Sequence, residues 1–559
     1  MKSELEKNIA EVVRQCFEQE VNVELDRPEE KFGDYSTNVA MQLAGKLQKN
    51  PREIAETLID ALKPKLGDKI ADIVIAGAGF INFKLSDSAL VESLGVEPAK
   101  IYQDQVIVTE YSDPNPFKVL HVGHLYTSIF GDAISNLLEN AGAQVHRVNF
   151  GGDVGLHVAK TMWAILQKIG GEEPNKLEDV PKDQRADWMA ENYINGTNAY
   201  EENDQAKQAI TDLNKKIYEI HATDDHQSNL AQIYWTCRQW SYDYFDYFYG
   251  LIGVKFEKYY PESAVSSLGL ETVNKHIGDV YEKSDGAVIF NGEKYGLHTR
   301  VFINSQGLPT YEAKDVGLIM QKKADYNFDK SIVITGNEQD QYMQVVLKSL
   351  EQYEPKLVEA STHLTHGMVK LAGGTKMSSR KGNILRAADV LESAGEASRQ
   401  VHGKESNQTV LGAVKYALIK YRLGGDIIYD AQESVSLEGN SGPYLQYAHA
   451  RAKSILAKRP EFNQTFSELL NEELNEQERS LVRKITEYTE VIDLATADLM
   501  PHHICSYLYE LAQNFNRFYE NNQVIDSDRE ALRLNLVKVY SNVLSGGLKL
   551  LGITAPDKM

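Results

Sequence analysis

His121 and His124 lie three residues apart in "DPNPFKVLHVGHLYTS" (113–128), with Gly123 between them. In a helical turn that spacing lets two imidazoles project toward one ligand, and the glycine lets a ligand come close to the backbone. A zinc centre would need a third protein ligand and a fixed outer layer of hydrogen bonds, and no cysteine or carboxylate stands beside the pair. Anion binding is the other chemistry open to it. A second candidate lies about 250 residues further on, in "GGTKMSSRKGN" (373–383). There Lys376, Arg380 and Lys381 can reach anionic oxygens, Ser378 and Ser379 add hydroxyl donors, and the glycines allow the loop to move. From Ala360 to Ala388 the chain has five Lys/Arg and no carboxylate, although its overall charge is −21. The local excess marks a candidate phosphate-facing loop, a solvated basic loop being the other reading, while the global charge argues against nonspecific coating of DNA or anionic membrane, which draws on summed positive charge.

The surrounding pattern predicts what holds these residues. "QVIVTEYS" from Gln105 reads as a buried strand, followed by a Pro-Asn-Pro loop, a helix through "LYTSIFGDAISNLLENAG" stopped at Gly142, and a second strand "QVHRVNF". This is a βαβ unit with a right-handed parallel crossover. It places the two histidines in the loop and first turn of the helix, at the carboxyl edge of the sheet, where helix N-termini offer unpaired N–H groups and a positive dipole end to anions. Glu110 ends the first strand and Asn115 sits in the next loop. The acidic, Tyr/Trp-rich stretch of about 158–280 reads as a helical insertion, and strand signals return at "GAVIF", "TRVFINSQG" and "KSIVITG". After Gly382 they fade, and "SGPYLQYAHARAKSILAKR" opens a helical region, with Ser441 or Gly442 as cap and Pro443 in the first turn.

A chain of 559 residues exceeds what one core supports. The reading is therefore α/β, with an α+β domain over 1–98, a Rossmann-like parallel-sheet catalytic domain over 99–394 carrying the insertion, and an all-α domain over 395–559. Cys16, Cys237 and Cys505 lie far apart with no CxxC spacing, so neither a disulfide framework nor a structural metal is expected. The N-terminus lacks a basic start and an uninterrupted apolar stretch, and no run of about eighteen apolar residues occurs, so a cytoplasmic protein with no membrane partner is expected.

In this order and at this separation, "HVGH" and "KMSSR" resemble the HIGH-like and KMSKS-like elements of class I aminoacyl-tRNA synthetases. Further collinear stretches resemble the arginyl-tRNA synthetase family: "FGDYSTNVAMQLAGKLQKNPREIA" its N-terminal domain, which contacts the outer corner of the tRNA, "GLPTYEAKDVGL" its amino-acid pocket, "NSGPYLQYAHAR" and "ELAQNFNRFYENNQVI" its anticodon-binding domain. The resemblance implies ATP with Mg²⁺ as a substrate complex, L-arginine and an arginine tRNA as partners, and a monomer. It also implies an arginyl-adenylate intermediate and activation that waits for bound tRNA.

For ATP the resemblance implies His121, Gly123, His124, Lys376, Met377, Ser378, Arg380 and Lys381. The second lysine of KMSKS falls at Ser379; family members lacking it tend to carry one just ahead of HIGH, where Lys118 stands. His121, His124, Lys118 and Lys376 are thus the expected catalytic set. Joining a carboxylate to the α-phosphate needs no protein nucleophile, so catalysis would be positioning and charge stabilisation. A guanidinium has five N–H donors in a planar fork and calls for carboxylates and an aromatic wall. Tyr311 and Asp315, four apart in a predicted helix, face the same way. The resemblance puts Glu110 and Asn115 at the amino-acid backbone end, and Tyr311, Asp315 and Gln339 around the side chain. Tyr444, Gln446, Tyr447 and Arg451 form a stripe suited to stacking unpaired tRNA bases and holding phosphates, although both tyrosines also suit a core. A different HxGH nucleotidyltransferase and a tRNA-binding relative without activation are the competing readings.

Overall fold

The protein is described from a computed structural model over residues 1–372, 385–403, 406–462 and 473–559. The expected βαβ unit is present as β1 (Val106–Glu110), α1 (Val122–Asn140) and β2 (Gln144–Gly151). Three further strands, β3 (Lys258–Pro261), β4 (Lys330–Gly336) and β5 (Ser361–His366), complete an all-parallel sheet of order β3-β2-β1-β4-β5. β1 and β4 are buried along most of their length, as strands of a parallel sheet covered on both faces are. Strand order reverses between β1 and β4, and the crevice outside the carboxyl ends at such a reversal is where ligands bind in open α/β sheets.

α1 lies close on this sheet. A Cβ at Gly131 would sit 2.2 Å from Cγ of the fully buried Tyr111. Gly131→Ala is expected to cost about 1–3 kcal/mol of stability by overpacking, read as a lower urea midpoint with an unchanged slope; an unshifted midpoint would mean that the ring yields.

The insertion is shorter than the sequence pattern suggests. Its helices α2 (Leu156–Ile169), α3 (Arg185–Glu202), α4 (Asp204–Ala222) and α5 (Asn229–Ile252) end before β3, and the chain then rejoins the sheet and enters α6 (Glu262–Lys275). A strand of four residues is too short to show a period, so the stretch around 258–280 reads as insertion when it is partly sheet. "GAVIF" and "TRVFI" do form strands, but in a separate antiparallel sheet of Glu282–Ser284, Ala287–Phe290 and Arg300–Ile303. The expected boundary at 394/395 falls inside the helix Ala387–His402, and the parallel pairing of Val369–Leu371 with Ile427–Tyr429 spans it.

The N-terminal domain packs helices on an antiparallel sheet of Tyr35–Thr37, Phe80–Leu85 and Ile70–Ala76. This domain is locked to the C-terminal helices by ion pairs, Arg27 to Glu490 and Arg479 to Asp34 (each 2.6 Å) and Arg479 to Asp87 (2.7 Å). In the C-terminal bundle the buried Glu478 accepts hydrogen bonds from Arg529 and Arg533 at 2.7 and 2.8 Å. Among the described residues no helix is long and apolar enough to cross a membrane.

Candidate active site

His121 is the N-cap of α1. The backbone N–H of Gly123 donates to His121 Nδ1, and the N–H of His121 donates to His124 Nδ1, each at 3.1 Å. The ring centroids are 3.7 Å apart. Burial, then the charge of Lys118, lowers the pKa of His121 to about 4, and burial carries His124 well below its ordinary value. Both rings are therefore neutral at pH 7. With Nδ1 accepting, each proton resides on Nε2, so the pair offers two fixed Nε2–H donors. Free backbone N–H groups are what the sequence predicts at this helix mouth. Two of them are already used, since Gly123 donates to His121 and Val122 donates to the Leu385 carbonyl at 2.9 Å. The imidazole edges take over as donors.

The contact with Leu385 ties together segments far apart in the chain. Ala387 N–H donates to the Leu120 carbonyl at 2.9 Å, and Arg386 faces His121 across an antiparallel bridge. Lys376, Met377, Ser378, Ser379, Arg380 and Lys381 lie outside the described residues. The flank that follows them is bonded directly to the histidine segment. Lys118 is half-buried, with Nζ 4.8 Å from the centroid of the Tyr193 ring.

The crevice continues into a pocket of carboxylates and aromatic rings. Glu110 at the end of β1 is paired with Lys322, both buried, and Lys322 also donates to Ser331 Oγ at 3.3 Å. Lys322, Asp315 and Tyr311 all belong to α7 (Tyr311–Tyr326). Asp315 is buried and accepts a hydrogen bond from the Tyr342 hydroxyl. Burial raises its pKa to about 7, with Glu110 and Glu262 adding to the shift and Tyr342 and Lys322 opposing it. Tyr311 is 57 % exposed and has Lys314 Nζ 5.2 Å from its ring centroid. Asn115 Oδ1 accepts the Gly152 N–H at 2.7 Å. Gln339 is exposed in the short turn after β4. The loop between β1 and α1 holds Ser112, Asp113 and Phe117 at φ 74°, 48° and 66°, each costing on the order of 1–3 kcal/mol, strain of the kind that gathers at ligand sites.

Two residues here escaped the sequence reading. Glu262, first in α6, is buried and accepts from Lys314 Nζ at 2.6 Å. His157 Nε2 donates to the Gly152 carbonyl at 2.7 Å; burial, then Lys118, lowers its pKa to about 3. A Cβ at Gly152 would lie 2.7 Å from Asn115 Oδ1, 2.9 Å from Glu262 Oε1 and 3.1 Å from the His157 ring, so the glycine is the floor on which these side chains meet. The available signal was position: His157 follows β2 and Glu262 follows β3, at the same carboxyl edge as Glu110 and Gln339.

Residues 87–429 match the family model described as tRNA synthetases class I (R), catalytic domain. The chain belongs to the class I arginyl-tRNA synthetases. Residues 3–85 match the arginyl tRNA synthetase N terminal domain and 445–559 the DALR anticodon binding domain. An arginine–tRNA ligase of Flavobacterium psychrophilum is 30% identical, covering 87% of this chain and 85% of its own. One from Bacteroides fragilis is 29% identical over 96% of each. The arginyl-tRNA synthetase structure from Thermus thermophilus is 25% identical, with a TM-score of 0.80 over the full length of both chains.

The stripe expected to face tRNA divides in the synthetase's helix Gly442–Leu456. Tyr447 is 46 % exposed. Tyr444 accepts a hydrogen bond from Asn516 at 2.9 Å, and the Arg451 guanidinium lies 4.5 Å from the Tyr519 ring centroid. Gln446 does not belong with them. It is 0 % exposed, and its amide donates to the Gln408 and Thr554 carbonyls at 3.1 and 2.8 Å, tying the C-terminal tail to the helix Asn407–Ile419.

Proposed function

We propose that the chain ligates L-arginine to its cognate tRNA through an arginyl-adenylate, releasing pyrophosphate and then AMP, as a monomer in the cytoplasm. The observation that carries this reading is convergence. At one sheet edge, a neutral imidazole pair stands beside a buried carboxyl pocket with an aromatic wall, in a chain of this family.

The arginine carboxylate attacks the α-phosphorus of ATP, and the Pα–O bond to pyrophosphate breaks. Charge gathers on phosphoryl oxygens, and donors fixed in advance stabilise it without reorganising. The Nε2–H groups of His121 and His124 supply two such donors. Lys118 supplies a cation, and the family resemblance adds Lys376, Met377, Ser378, Arg380 and Lys381 as further ATP-binding residues. Mg²⁺ accompanies ATP and neutralises further charge. Asn115 and Glu110 receive the ammonium end of arginine, with Lys322 holding the Glu110 carboxylate in place. Asp315 meets the guanidinium. Its buried carboxyl has a hydroxyl partner in Tyr342, and a cation would offset the desolvation of its charged form. Tyr311 and Gln339 border the side chain, and Tyr444, Tyr447 and Arg451 contact the tRNA.

Charging total tRNA with each of the twenty amino acids tests this reading: arginine alone is expected to be attached. ATP–pyrophosphate exchange is expected to be negligible until tRNA is added, and robust exchange without it would contradict tRNA-dependent activation.

A further inference from the structure

Helix α3 of the insertion touches the phosphate site at two places. Asp187 accepts a hydrogen bond from Arg386 at 2.6 Å, just beyond the cationic loop, and Tyr193 places its ring 4.8 Å from Lys118 Nζ, just ahead of the histidines. We propose that Tyr193 is a positioning residue that holds Lys118 against the triphosphate of ATP, where the loop carries Ser379 in place of a second lysine. This rests on the reading that Lys118 acts on ATP.

The contact suits that task physically. A lysine has a flexible four-carbon stem, and holding its ammonium in one place costs rotamer entropy. A carboxylate could fix it, but would neutralise the charge and repel an incoming polyanion. Among the described residues Lys118 forms no ion pair within 4 Å; Glu262 feels its charge from further away, and the face of the Tyr193 ring lies against its ammonium. A ring face attracts the cation through its quadrupole and leaves the net charge intact. That charge reaches the reaction centre, since Lys118 helps to depress the pKa values of His121, His124 and His157.

The ring also has a rigid mount. Gly196 lets α3 approach α2 so closely that a Cβ there would lie 1.9 Å from the Lys160 carbonyl oxygen, and Trp188 meets Trp240 of α5 edge to face at 6.0 Å. The insertion thereby orders a cation whose stem is anchored in another segment.

The test is steady-state ATP–pyrophosphate exchange of the full chain with tRNA present, for Y193L, Y193Q, Y193F, K118A and the double variant Y193L/K118A. Y193L and Y193Q are expected to lower kcat/KM for ATP by about tenfold, the scale of one lost cation–π contact, with arginine KM unchanged. Y193F keeps the ring and recovers most of the loss. K118A is expected to lose more, and Y193L is expected to add nothing to it, because the ring acts through the lysine. An unaffected K118A would remove Lys118 from the mechanism, and this proposal with it. A damaged K118A beside an intact Y193L and Y193Q would overturn the positioning role alone, as would additive losses in the double variant or an equal rise in arginine KM.

Discussion

Asp315→Asn is expected to raise the arginine KM by about 100-fold or more, the scale of breaking a buried charge pair, while the KM for ATP stays within a few-fold. The pocket surrounds Asp315 with Glu110, Glu262, Lys322 and Tyr342, and burial raises its pKa from 3.8 to about 7. In the folded protein without arginine this carboxyl holds a proton at pH values where the unfolded chain has lost it. Its contribution to stability is therefore full below pH 3.8 and is lost as pH rises through about 7. A guanidinium reverses the preference, because an adjacent cation favours the carboxylate. Arginine binding should then expel the proton. The arginine KM is expected to fall by up to about tenfold per pH unit as pH rises toward 7 and to level off above it. In Asp315→Asn that slope should vanish together with the affinity. A slope that survives the substitution would move the guanidinium contact to another carboxylate, and Glu262 is the first to examine, since burial raises its pKa too.

Where the sequence read well, local pattern and tertiary environment demanded the same thing. β1 and α1 carry apolar residues at the length and period that a covered parallel sheet needs, and the His121–His124 spacing is local to one turn. Where it read less well, the missing information was the partner. Ala287–Phe290 and Arg300–Ile303 announce strands, but period alone does not say which sheet they join. β3 is too short to announce itself, and losing it hid Glu262, whose place is set by the end of that strand. Gln446 has the polarity of a surface residue and the surroundings of a core residue. Helical spacing puts it one position from the exposed Tyr447, and two backbone carbonyls pull it inward. The pairing of His121 with His124 was legible from their spacing, but the capping role of His121 was not, because it depends on a 3.1 Å hydrogen bond from the Gly123 N–H.

That double role makes the second large effect separable into two. Replacing His121 and His124 together by alanine is expected to reduce arginylation by about 10³-fold, given 10² to 10³ for one fixed donor and the strong non-additivity of groups that act as a unit. His121→Ala alone should also cost about 0.5–2 kcal/mol of stability through the lost cap. His121→Asn restores an oxygen that can accept from Gly123 but removes the Nε2–H, so stability should return while activity remains low. A variant that regained both would make the imidazole a structural cap and nothing more. The pH profile adds a separate check. The folded pKa of His121, about 4, lies below its ordinary 6.5, so the unfolded chain binds more protons between these values and stability falls as pH drops through that window. At pH 6 to 8 the ring stays neutral, and no loss of activity in that range should be traceable to it. If wild-type activity fell as pH dropped below 6.5 and His121→Asn abolished that fall, the working form would not be the neutral donor that the capped geometry dictates.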